Sequence, residues 1–89
     1  MKTCQVTVPN ELGLHARAAA RLVSTASRFV AEVYLEKGET RVNGKSIMGV
    51  MMLAASQGTR LTLITDGIDE EPALEAVCQL VEAGFGEME

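Results

Sequence analysis

The 89 residues predict an α+β fold: an open-faced β-sandwich with a four-stranded antiparallel sheet and three helices on one face, ordered β-α-β-β-α-β-α. Three observations carry that prediction. Four short stretches alternate apolar and polar residues, so each strand offers one face to a core and the other to water. Three further stretches place their apolar residues for one side of a helix. The length admits a single domain, spanning 1–89, whose core hides roughly 60–65% of the surface of the unfolded chain. An apolar content of 47% and a charged content of 22% argue against disorder.

The elements follow in order. In Thr3–Val8, Cys4, Val6 and Val8 share one face, and Thr3, Gln5 and Thr7 the other. Pro9 to Gly13 is a loop. Ala16–Phe29 reads as a helix with an apolar stripe of Ala19, Leu22, Val23, Ala26 and Phe29, and with Arg17, Arg21 and Arg28 largely off it. Ala31–Glu36 and Thr40–Asn43 alternate on either side of Lys37-Gly38-Glu39 and predict a hairpin. Ser46–Ala54 is expected to be a short helix. Arg60–Thr65 is the last strand, with Leu61 and Leu63 inward. Asp69 is expected to cap the final helix, Glu70–Ala83, whose first turn carries Glu70, Glu71 and Pro72, all favoured there; Gly84 ends it.

The chemistry is bounded by charge and by what the sequence lacks. The net charge of −4 is split along the chain. Residues 1–65 hold all eight basic side chains and four acids; residues 66–89 hold eight acids and no Lys or Arg. An acidic chain with three aromatic residues (Phe29, Tyr34 and Phe85) is a poor nucleic-acid binder. One histidine and two distant cysteines supply no metal set, and no glycine-rich phosphate loop is present, so no cofactor is expected. Cys4 and Cys78 read as small core residues, since no positive neighbour in sequence activates either thiol. The longest uncharged apolar run, Ile47 to Ala55, is too short to span a bilayer, and no leader opens the chain; a cytoplasmic protein is expected. The acids of the last helix read as a solvated outer face and a favourable first turn.

The informative stretch is Gly13-Leu14-His15-Ala16-Arg17. A histidine, the only one in the chain, stands where Ser, Thr, Asp or Asn normally caps a helix. Arg17 sits in the first turn, against the positive end of the helix dipole. Two local rules broken within three residues point to a functional site. Free amides at a helix N-terminus plus a guanidinium one turn in suit a doubly charged anion. A neutral imidazole at its mouth is a competent nucleophile near pH 7, and the resulting phosphoramidate is a good onward donor. The plain alternative is a loop histidine that merely caps a helix, with Arg17 a solvated charge.

A second stretch is Val42-Asn43-Gly44-Lys45-Ser46-Ile47-Met48-Gly49-Val50-Met51-Met52. Ser46 is a good N-cap, and a phosphoserine there would add about −2 charges beside the methionines. Ile47, Met48, Met51 and Met52 cannot all turn inward on a two-turn helix, so some must be exposed and available to partners.

Together these two motifs resemble the HPr phosphocarrier family of the bacterial phosphoenolpyruvate phosphotransferase system, over essentially the whole chain. The resemblance implies that His15 accepts a phosphoryl group on Nδ1 from phosphorylated enzyme I and passes it to an enzyme IIA-type acceptor. Arg17 would pair with the phosphate. Ser46 would be the regulatory serine, phosphorylated by HPr kinase/phosphorylase in lineages that have one. Ile47, Met48 and Met51 would form the apolar part of a docking surface, with Arg21 and Lys45 at its charged rim. It also implies a monomeric carrier rather than an enzyme. Ala18 stands where many members have proline. With Gly44, Met51-Met52-Leu53-Ala54-Ala55-Ser56 and Phe85-Gly86-Glu87, this is similar to the nitrogen-related NPr branch, which serves regulatory IIA proteins. Two rival readings stand beside it: an HPr-type regulatory protein whose phosphorylation state is the signal, with no part in sugar transport, and a non-catalytic α+β binding module.

Overall fold

Residues 1–87 are described by the computed structural model; Met88 and Glu89, the latter counted among the acids of the last segment, lie outside the described residues. The chain runs β1 (Lys2–Thr7), α1 (Ala16–Ala26), β2 (Glu32–Lys37), β3 (Thr40–Asn43), α2 (Ile47–Met52), β4 (Arg60–Asp66), α3 (Glu70–Glu82) and a closing 3₁₀ turn (Gly84–Gly86). The four strands form one antiparallel sheet ordered β1-β4-β2-β3.

Register makes the core. Val6 lies opposite Leu61, Cys4 opposite Leu63, and Leu63 opposite Leu35, so the inward residues of three strands meet in one layer. Against them pack Ala18, Ala19, Leu22 and Ala26 of α1, Val50 of α2 and Val77 and Val81 of α3. Each large side chain so buried contributes about 1.5–3 kcal/mol. The outer sheet face is polar but not uniformly wet. Ile64 is only 4% exposed there, because its strand is central and Thr3 and Tyr34 flank it in register.

Two expectations about helix ends need correction. The first helix stops at Ala26, three residues before Phe29, because the amides of Arg28 and Phe29 turn back to Thr25 and Ala26 and close a tight turn. Phe29 is half-buried, with the Arg28 guanidinium over its ring. Asp69 stands at the start of α3 but makes no side-chain cap. Its carboxylate instead accepts hydrogen bonds from the amides of Val30 and Ala31, at 2.9 and 2.8 Å. Those bonds, that from Val30 foremost, hold its pKa below the usual value. The turn before α3 is held by Glu70, which accepts from the Gly67 amide and from the N-terminal ammonium.

No helix among the described residues is long and apolar enough to cross a membrane.

Candidate functional site

Leu14 anchors the loop before α1: its side chain is buried and its amide donates to the Ala55 carbonyl. Gly13, at φ 64°, precedes it; a Cβ there would lie 2.4 Å from the Ala55 oxygen, so this close passage of loop over loop requires glycine. His15 is thereby delivered to the N-cap position in extended conformation. Its Nδ1 faces the start of α1 and accepts a long contact, 3.4 Å, from the Arg17 amide. A caps-only role would call for a shorter bond; here the ring nitrogen is held loosely in front of free helix amides.

The other ring nitrogen, Nε2, meets the carboxylate of Glu87, 72 residues further along the chain. Glu87 is fixed in turn by Asn10, a 2% exposed side chain whose Nδ2 donates both to Glu87 and to the Gly13 carbonyl, each at 2.9 Å. The Asn10 hydrogen bond, with the smaller influences of His15 and Arg17, holds the Glu87 carboxyl below its ordinary pKa despite partial desolvation. Glu87, beyond the end of α3, lies in the site. Neither it nor Asn10 was singled out from the sequence as a site residue. The only local hint is the pair of glycines around Phe85, which fold the terminus back; Phe85 itself is fully buried at φ 59°.

Beside His15 opens a cleft of about 310 Å³ lined by Glu11, Leu12, Arg17, Arg21, Gly86 and Glu87. Arg17 and Arg21, one turn apart on α1, supply its positive wall. Arg21 is not a free rim charge, because its guanidinium donates to the Phe85 carbonyl.

Ser46 starts α2 and caps it well: its Oγ accepts from the Gly49 amide at 3.1 Å. Of the apolar residues of α2, only Val50 is buried; Ile47, Met48, Met51 and Met52 are all exposed, Met48 and Met52 by more than 70%. Spaced at i, i+1, i+4 and i+5, they make an apolar strip along one side of α2, which starts at Ser46. Lys45 is the exception to the expected cluster. Its ammonium donates to the Phe29 carbonyl at 2.7 Å, beyond the far end of α1 from His15. The structure therefore brings together His15, Arg17 and Arg21, adds Asn10 and Glu87, and sets Lys45 and Ser46 apart at the other end of α2.

A second cleft, of about 390 Å³, lies between β1 and α3 and contains both cysteines. Burial pushes the Cys78 thiol up to about 12, assisted by a hydrogen bond with Cys4, so it is no nucleophile at neutral pH. Among the described residues, no group of three His, Cys, Asp or Glu side chains is placed to hold a metal ion.

Comparison with known proteins bears on this arrangement. The family model described as "PTS HPr component phosphorylation site" matches residues 2–83. A phosphocarrier protein HPr of Neisseria meningitidis is 52% identical over 84 residues, 94% of each chain. A phosphocarrier protein NPr of Shewanella violacea is 46% identical over 93% of this chain and 91% of its own. The crystal structure of HPr-C-His from Thermoanaerobacter tengcongensis superposes with a TM-score of 0.95, at 46% identity and full coverage of both chains.

Proposed function

The chain belongs to the HPr family, the phosphocarrier proteins of the phosphotransferase system, and on that premise we propose that His15 accepts the phosphoryl group on Nδ1 from phosphorylated enzyme I. The group then passes to an enzyme IIA-type protein, in the cytoplasm. The observation that carries this reading is the direction of the ring. Nδ1 looks at the open amides of α1 beside the cleft walled by Arg17 and Arg21, where phosphoryl oxygens find donors without any rearrangement of the helix. Arg17 is assigned to the phosphoryl group, with which a guanidinium forms strong, charge-assisted hydrogen bonds. The protein is a carrier, not an enzyme.

Incubation with enzyme I and labelled phosphoenolpyruvate tests the reading. An acid-labile, base-stable label on the wild type and none on His15→Ala is expected. A label that survives His15→Ala would move the site elsewhere.

We further propose that Ile47, Met48 and Met51 dock the partners and that Ser46 regulates docking when phosphorylated by an HPr kinase/phosphorylase. The support is spatial. Ser46 lies away from His15 but adjoins the exposed apolar strip, so about −2 added charges there change the docking face rather than the nucleophile. Arg21 and Lys45, committed to backbone carbonyls, border that face as fixed charges. A panel of IIA proteins of the sugar and nitrogen-related kinds, scored for acceptance of phosphate, assigns the branch.

A further inference from the structure

The terminal turn is built into the site by three separate contacts. Arg21 holds the Phe85 carbonyl, Gly86 passes so close to that guanidinium that a Cβ would lie 3.1 Å from Nη1, and Asn10 holds one oxygen of Glu87. The remaining Glu87 oxygen is left on His15 Nε2. A carboxylate only accepts, so in the neutral ring Nε2 must carry the proton and Nδ1 the lone pair.

Resting on the reading of His15 as the phosphoryl acceptor, we infer that Glu87 is a positioning residue for the transfer: it selects the Nε2–H tautomer and keeps that proton on the ring through the whole cycle. The balance of the step is simple. The Nδ1 lone pair forms the N–P bond while the bond from phosphorus to the donor breaks, its electron pair leaving with the donor. Nδ1 has no proton to lose. The product is a ring that bears the phosphoryl group on Nδ1 and a proton on Nε2, formally an imidazolium paired with the Glu87 carboxylate. On the onward step the N–P bond breaks, its electron pair returns to Nδ1, and a neutral imidazole leaves. Were Nε2 to deprotonate in between, the leaving group would be an imidazolate, a far poorer one.

The charged groups that face this proton are few. Glu87 comes from the terminal turn and Arg17 from α1, with Glu11 of the β1–α1 loop and Arg21 further along the same cleft. The carboxylate in contact favours the protonated phospho-ring; the guanidinium of Arg17 opposes it from the phosphoryl side. Glu87 is therefore the group whose removal lowers the proton affinity of phosphorylated His15.

The test uses the full chain, ¹⁵N-labelled, with long-range proton–nitrogen spectra of His15 before and after phosphorylation by enzyme I. Glu87→Gln keeps an acceptor oxygen but loses the charge; Glu87→Ala loses both. Both are expected to lower the titration midpoint of phosphorylated His15 by about one pH unit or more. Glu87→Ala is also expected to mix the ring tautomers of the free protein, whereas Glu87→Gln keeps Nε2–H. Backbone amide shifts of the sheet, unchanged in both variants, separate this from loss of fold. Midpoints equal to wild type in both variants would overturn the role of Glu87 and leave the carrier reading intact. Absence of any phosphohistidine on the wild type would overturn the carrier reading itself, and the inference with it.

Discussion

The helix starts at His15 and Ser46 are both capped by a side chain, yet they are assembled in opposite ways. Ser46 is held by a hydrogen bond three residues away, and its helix would find that cap in almost any context. His15 contacts its own helix only loosely, and its ring is oriented by Glu87, which Asn10 fixes from the far side of the chain. A third start, that of α3, is filled from within by Glu70 and Glu71 in its first turn, whereas α1 has no acid there and carries Arg17 instead. The contrast teaches how one small chain separates two tasks. The end proposed to receive a phosphoryl group keeps its helix amides open and borrows its orienting groups from other segments. The end proposed for regulation is self-contained and reports through exposed methionines.

That comparison can be broken by substitution. The largest effect is expected from Arg17→Ala. Removing a charge-assisted hydrogen bond of about 1.5–3 kcal/mol should slow phosphoryl transfer about 10- to 100-fold. Stability should stay nearly unchanged, since Arg17 is exposed and opposes the helix dipole. Stopped-flow transfer from enzyme I checks the first point and a denaturant midpoint the second; wild-type rates would remove Arg17 from the site. Gly13→Ala comes next. A methyl group 2.4 Å from the Ala55 oxygen at positive φ should cost about 2 kcal/mol and displace the His15 loop. An unchanged unfolding midpoint would show that the loop passage is less tight than described.

At the other helix start, Ser46→Asp should weaken enzyme I binding about fivefold through charge at the apolar strip. Titration calorimetry against enzyme I measures it, and equal affinity of the two forms would reduce Ser46 to a cap. The smallest effect is one of pH. Because Glu87 has a depressed folded-state pKa, its hold on the terminal turn is present above the ordinary carboxylate value of 4.5 and is lost as pH falls through the depressed one. The side-chain amide resonances of Asn10 should therefore shift in that acid range. A midpoint at or above 4.5 would contradict the Asn10–Glu87 contact.

How much of this was legible beforehand follows the same division. Strand alternation, most of each helix stripe, Gly84 as a stop and Ser46 as a cap are local regularities that the structure keeps, while Phe29 falls beyond the end of α1. His15 and Arg17 stood out because they break local rules. What stayed hidden depends on the meeting of remote segments. Asp69 sits in the right place to cap α3, but two amides of the α1–β2 connection compete for its carboxylate and win it. Lys45 is committed to the Phe29 carbonyl, which only the docking of α2 beside α1 brings within reach. Glu87 carried no sign of a site role, because nothing local says that a turn around a buried Phe85 returns it to His15.

The measurement that tests the central claim most directly is the nitrogen spectrum of wild-type chain phosphorylated by enzyme I. Phosphorus coupled to Nδ1 of His15, with the proton still on Nε2, is the predicted result. Phosphorus on Nε2, or on any residue other than His15, would contradict the account.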